Sequence, residues 1–314
     1  MYINNLIKIF LFFYIITILV IRLVTSRKKL IIVCDQYGRL GNRLHLFAQL
    51  IIYAKNNNCT VWMPGFYDYW HFFPKLYHRP IFGTSFYPFS IFSPENLFYT
   101  FNFIFRKASQ LRSNLLLFNL VYIDSSSINP WNSILKSKQK VILFGGFIFH
   151  EFMLDYESAL PEINQIFTPD SLYSKKINYP INFLKSRCDL ICGVLIRQTD
   201  YRSWNEGKYF FESEEYFKIL VAVKEKIKKL KIGFFIATDE DQYVNDSYDI
   251  ECLIRVGHPI ENLYSLSLCD FLIGPPSSYI SWASLYGDRP LYTIFESSNY
   301  HKMLYSFLDK KVLK

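Results

Sequence analysis

From residue 30 onward, short apolar runs rich in β-branched residues alternate with stretches whose apolar positions recur every three or four residues. Leu30–Cys34 (LIIVC) reads as a buried strand. It breaks at Asp35–Gly41 into a helical pattern, Asn42–Lys55, with Leu44, Phe47, Ala48, Ile51 and Ile52 on one side. Thr60–Met63 reads as a second strand after the Asn56-Asn57-Asn58 turn, which gives a β-loop-α-β unit. From Phe66 to about Ser133 the chain is rich in Phe, Tyr and Pro and has no readable period. Val141–Phe144 is the next strand, ended by Gly145-Gly146, and Pro161, Pro169 and Pro180 punctuate a predicted connection between two lobes. Beyond it, the reading gives strands at Leu190–Ile196, Lys231–Ala237, Cys252–Val256, Phe271–Ile273 and Leu291–Ile294. The intervening helices are Ser213–Leu230, Glu261–Cys269 and Ser277–Tyr286. This alternation predicts an α/β protein with parallel sheets covered by helices on both faces. Ligands of such sheets bind beyond the carboxyl ends of the strands, so the loops there are the places to search.

The first residues follow another pattern. Ile9–Ile21 is uncharged, and the apolar stretch extends to Leu6–Val24 if Lys8 and Arg22 snorkel, at the short end of what spans a bilayer. No small-residue cleavage site follows, so an uncleaved single-pass membrane anchor with a basic flank, residues 1–28, is expected rather than a signal peptide. Arg22, Arg27, Lys28 and Lys29 favour a cytoplasmic domain by the positive-inside rule. The sequons Asn58-Cys59-Thr60 and Asn245-Asp246-Ser247 permit a lumenal one, and a Golgi location if the chain is eukaryotic, so orientation stays open.

Composition narrows the classes. Of 314 residues, 51% are hydrophobic and 20% charged, which excludes a disordered chain and leaves room for two lobes. The net charge of +8 concentrates at the membrane flank and on Lys224–Lys231, so a solvated helix face explains it and no nucleic-acid partner is expected. The six cysteines form no CxxC pair and the histidines do not cluster with them, which argues against zinc and for buried thiols.

Three loops at strand ends carry candidate chemistry. Tyr37–Leu44 places glycines before a helix N-terminus, where unpaired N–H groups favour an anion. It is neither G-x-G-x-x-G nor a P-loop. In Gly193–Tyr201, Arg197 leaves a buried strand and can present its planar fork to a phosphate, with Asp200 close enough to hold it. In Gly274-Pro275-Pro276-Ser277-Ser278, serine hydroxyls and the first N–H groups of a helix make an anion cradle without a metal. The simpler readings are a common capped turn, a surface ion pair and an ordinary N-cap.

In this order the loops resemble the α-1,2-fucosyltransferase family and its distant protein O-fucosyltransferase relatives. The G-x-x-G-N loop is matched by Gly38–Asn42, and the H-x-R-R-x-D signature by Leu195–Asp200. The last signature is matched by Asn262-Leu263-Tyr264 through Ile273–Ser278 and Ser281-Trp282. Phe234–Asp239 resembles the family's strand with its acidic turn. The likeness spans most of the chain from Leu30, thinly between Phe66 and Ile134. It departs at Leu195 for the signature His, at Gln198 for the second Arg, and at Asn262, beside Glu261, for the acid that reads guanine.

The resemblance implies a GT-B-like architecture: two Rossmann-type lobes, an acceptor-side lobe over 29–170 and a donor-nucleotide lobe over 171–314. It implies a metal-independent, inverting transfer of fucose from GDP-fucose to a glycan or glycoprotein hydroxyl. The catalytic set would be Arg197 and Asp200. The donor would be held by Gly41, Asn42, Arg197, Asp239, Asn262, Ser277 and Ser278, with Asn42 reaching from the opposite lobe. No cofactor or metal is expected, and the partners are a GDP-sugar, an acceptor glycan and the membrane. The alternatives are a protein O-fucosyltransferase-like enzyme and a non-catalytic, membrane-tethered sugar-binding module.

Overall fold

The computed structural model describes residues 28–33, 37–66, 68–78, 120–124, 141–145, 156–242, 248–296 and 300–313. The predicted anchor over residues 6–24 and the Asn245 sequon lie outside them. Among the described residues no helix is long and apolar enough to cross a membrane. The chain divides into two compact units. One comprises Met1–Arg39 with Arg43–Thr168, the other Leu40–Asn42 with Pro169–Lys314.

The first unit is built on a four-stranded parallel sheet. Its strands are β1 (Lys29–Val33), β2 (Cys59–Trp62), β3 (Leu120–Asp124) and β4 (Val141–Gly145), in the order β2-β1-β4-β3. Helix α1 (Leu40–Asn56) crosses between β1 and β2 and buries Leu44, Phe47, Leu50 and Ile51. Two short 3₁₀ turns and α2 (Pro74–His78) follow β2. They bring Phe66 against Phe47 and Phe73, and all three rings against Phe167 beyond α3 (Tyr156–Ile166), with ring centroids 5.3 to 6.1 Å apart. Edge-on and offset packing of this kind is what ring quadrupoles favour. Part of the aromatic-rich stretch is therefore core, and strand β3 lies in a region with no sequence period.

The second unit holds five parallel strands, β5 (Leu190–Ile196), β6 (Ile232–Thr238), β7 (Glu251–Val256), β8 (Phe271–Gly274) and β9 (Leu291–Thr293). Their order is β7-β6-β5-β8-β9. Every residue of β6 and all but the first of β5 are buried, as expected of central strands covered on both faces, whereas edge strand β7 is half-exposed. The covering helices are α4 (Ser174–Lys185), α5 (Ser213–Lys226), α6 (Pro259–Leu266), α7 (Ser278–Gly287) and α8 (Tyr300–Phe307). In α5 a reciprocal capping box joins Glu212 and Glu215, and Lys224 and Lys226 complement the dipole at its end. That helix stops at Lys226 rather than Leu230, because Ile227 leaves the helical region and its buried side chain starts the turn into β6.

Two of the prolines expected to punctuate a connection between lobes sit inside helices. Pro161 lies within α3 and Pro180 within α4. Each removes one backbone hydrogen bond, but α4 buries Ile177, Pro180, Ile181 and Leu184 on one face, and this burial outweighs the lost bond.

Candidate functional site

The second sheet reverses its winding between β5 and β8: the chain runs outward from β5 through β6 to β7, then returns to lay β8 on the other side of β5. Such a switch point opens a crevice at the carboxyl ends of the two central strands. The loops leaving those ends begin with Arg197 and Pro275, which are the second and third loops singled out from the sequence.

Arg197 is held from two sides. Its guanidinium is hydrogen-bonded to Asp200 Oδ1 and lies 3.1 Å from Asp239 Oδ2 at the end of β6. Asp239 also accepts the backbone N–H of Gln198 at 2.9 Å and the Thr199 hydroxyl at 2.8 Å. One carboxylate thus fixes three consecutive residues of the β5 loop. Arg197 Nε is buried without a hydrogen-bond partner, an unspent donor in a fork otherwise fully positioned. Its 14% side-chain exposure confines access to one side. Asp200 is more open, at 42%, and its carboxylate serves to orient Arg197.

Tyr201 connects the two loops. Its hydroxyl donates to the Pro276 carbonyl at 2.6 Å, and the Arg197 guanidinium lies 5.3 Å from its ring centroid. Burial pushes the Tyr201 hydroxyl pKa up, so it remains a protonated donor. Pro276 is followed by Ser277, the N-cap of α7, whose hydroxyl accepts the N–H of Tyr279 at 3.3 Å. Ser278 opens the helix. Arg197, Ser277 and Ser278 are thus brought to one crevice through Tyr201, which the sequence reading had quoted in the loop without a role.

Positions that depart from the signature have structural duties. Gln198 is buried and donates from its carboxamide to the Phe211 carbonyl at 2.9 Å, so this side chain points into the protein. Leu195 is buried beside Gly274, where an added Cβ would lie 3.1 Å from its own Cβ. Asp270 accepts the N–H of Ile191 at 2.7 Å and braces the start of β5.

In α6, which follows β7, Glu261 is buried and paired with Arg255 of that strand and, at 3.2 Å, with Lys176. It is committed to the fold. Its neighbour Asn262 donates from Nδ2 to the Arg255 carbonyl at 3.1 Å, leaving Oδ1 buried with no partner. Gly41 and Asn42 lie in the first turn of α1, in the stretch grouped with the second unit. A Cβ on Gly41 would sit 2.6 Å from the Tyr279 nitrogen and 2.7 Å from the Ser278 carbonyl carbon, so only glycine fits against the start of α7. Among the described residues no cluster of three or more His, Cys, Asp or Glu side chains has metal-binding geometry. Cys59, Cys188, Cys192 and Cys269 are buried free thiols.

What these features define is an α/β protein in which Arg197 and the start of α7 meet at the switch point of a Rossmann-type sheet. No protein-family model matches the sequence, and no curated protein matches it. Among solved structures, the chain is similar to a mutant of Arabidopsis thaliana FUT1 in complex with GDP, at 13% identity, covering 88% of this chain and 73% of that one with a TM-score of 0.57. It is also similar to NodZ alpha-1,6-fucosyltransferase co-crystallised with GDP, at 15% identity over 82% of this chain and 92% of that one, TM-score 0.51. Fucosyltransferase NodZ from Bradyrhizobium aligns at 15% identity over 86% and 96%, again with a TM-score of 0.51. At these identities the likeness establishes a shared fold.

Proposed function

We propose that the chain is a glycosyltransferase that moves fucose from GDP-fucose to a hydroxyl of a glycan, with inversion and without a metal. The reading rests on one observation above others: Tyr201 ties Arg197 to the serine-tipped start of α7 across the switch point. The fold shared with fucosyltransferases crystallised with GDP supports the choice of donor.

In the reaction, the acceptor oxygen bonds to the anomeric carbon while that carbon's bond to the diphosphate breaks. The electron pair leaves with GDP, and the hydroxyl proton passes to solvent water. The leaving group gains negative charge as the sugar becomes oxocarbenium-like. Arg197, with its free Nε–H, and the N–H and hydroxyl groups at Ser277 and Ser278 are fixed donors for that charge, and preorganised donors act most strongly in the transition state. Asp200 and Asp239 hold the guanidinium in place, Asn262 offers Oδ1 to the base, and Gly41 and Asn42 complete the donor site. We assign the α-1,2 linkage as the first to test.

A donor panel of GDP-fucose, GDP-mannose and UDP-sugars, read as released nucleotide in EDTA, tests the proposal. GDP-fucose is expected to be turned over, and Arg197→Ala to lower kcat by about 10²-fold or more with the fold intact. Turnover of UDP-sugars alone, strict manganese dependence or a fully active Arg197→Ala would refute it.

A further inference from the structure

Four aromatic rings run in series from the crevice to the surface along the carboxyl edge of the second sheet. Tyr201, beneath Arg197, lies 5.1 Å from Trp204, which lies 5.6 Å from Tyr209, which lies 6.4 Å from Phe295 just past β9. The first is buried, yet Trp204 is 48% exposed and Phe295 55%. Large rings left open to water in a connected row mark a binding surface more often than a packing accident.

The backbone invests strain in this arrangement. Asn205 and Glu206 both adopt left-handed conformations, with φ of 51° and 59°, and Gly207 follows at 74°. Two consecutive non-glycine residues there cost free energy, on the order of 1 kcal/mol each or more. They lie in the turn that brings Trp204 and Tyr209 together, and both are exposed polar residues that follow Trp204 in the chain. The borders are charged: Lys208 lies over the Tyr209 ring at 5.3 Å, and Arg202 forms a bidentate pair with Glu240 at 2.6 and 2.8 Å. A flat apolar protein partner would have to desolvate these groups. A pyranose would not, because its polarised C–H face stacks on the electron-rich ring face while its rim hydroxyls meet the polar groups.

We infer that Trp204, Tyr209 and Phe295 form a stacking platform for the sugar rings of an acceptor oligosaccharide, leading its terminal residue toward Arg197. The inference rests on the glycosyltransferase reading for direction, since the platform is continuous with the proposed donor crevice through Tyr201; it gives residues 171–314 acceptor contacts beyond those the resemblance implies for residues 29–170.

The test measures binding of lactose and cellotetraose to the full chain by saturation-transfer NMR and calorimetry, with GDP titrations and donor turnover in parallel. Trp204→Ala is expected to weaken oligosaccharide binding about ten-fold, and Trp204→Phe to retain most of it. Phe295→Ala is expected to weaken cellotetraose more than lactose, because it sits at the far end of the row. Thermal unfolding of the exposed-site variants verifies that they fold. Wild-type protein that binds neither sugar, or Trp204→Ala with unchanged affinity, overturns the platform. Trp204-dependent sugar binding without any GDP-fucose turnover would sustain the platform and remove the transferase. Turnover with an acceptor KM indifferent to Trp204→Ala would do the reverse.

Discussion

The hydroxyl of Tyr201 donates to the carbonyl of Pro276 across 2.6 Å, joining the loops that leave β5 and β8. The strands behind them are paired in parallel from Cys192↔Phe271 to Val194↔Ile273, so the bond links two loops that leave neighbouring strands at the same edge. The same ring sits against the Arg197 guanidinium, so the position of the cation and of the α7 N-terminus are adjusted together.

Tyr201→Phe removes that donor and keeps the ring. Stability should fall by about 1 kcal/mol, the usual net value of one such bond, as read from denaturant unfolding. GDP affinity should fall about five-fold, because two groups held in register become independent. Equal GDP affinity in the two proteins would show that the bond closes the fold without shaping the site.

Asp239 holds Arg197, the Gln198 N–H and the Thr199 hydroxyl from a mostly buried position, whereas Asp200 holds Arg197 from a more exposed one. Asp239→Asn turns one acceptor oxygen into an amide that faces other donors. We expect a loss of about 2–3 kcal/mol in chemical denaturation, as for charged hydrogen bonds in a partly buried site. Asp200→Asn should cost less than about 1 kcal/mol. A reversed order would mean that Asp200, not Asp239, organises the β5 loop.

These residues mark what the sequence could disclose. The strands of the second sheet were legible to within a residue or two, because central parallel strands are continuous apolar runs. The loops at their ends followed from the sheet class. Tyr201 gained no role because its partner lies 75 residues away, and Asp239 braces residues about 40 positions earlier. Pro161 and Pro180 pointed to breaks, since a local rule cannot weigh the tertiary burial that keeps α3 and α4 intact. The aromatic row depends on left-handed Asn205 and Glu206; Gly207 marks a turn there, but neither residue type announces a left-handed conformation.

His258, the residue before α6, stacks on Tyr173 with centroids 5.3 Å apart, and burial lowers its pKa. The unfolded chain therefore binds a proton more readily than the native one. Stability contributed here is complete above the ordinary histidine pKa of about 6.5 and is lost as pH falls toward the lower native value. Unfolding midpoints should drop between about pH 7 and about pH 5, and His258→Gln should flatten that dependence. A variant with the same slope as wild type would assign the acid sensitivity to other groups.

Asn262 has its amide nitrogen engaged by the Arg255 carbonyl and its oxygen buried and unpaired, so within the proposal it offers the nucleobase a single neutral acceptor. Asn262→Asp replaces the nitrogen with a second anionic oxygen. Two consequences oppose each other. The carboxylate can accept from two adjacent N–H donors of guanine, and charged bonds exceed neutral ones by about 1 kcal/mol, so GDP should bind several-fold tighter relative to UDP. Yet its inner oxygen now faces the Arg255 carbonyl that previously accepted a hydrogen bond from Nδ2, and the buried Glu261 carboxylate is the adjacent residue. That repulsion should lower stability by about 1–3 kcal/mol. Calorimetry with GDP and UDP, beside denaturant unfolding of the free protein, separates the two. If stability falls and the ratio of GDP to UDP affinity does not rise, Oδ1 does not face the base, and the nucleoside lies elsewhere along the sheet edge.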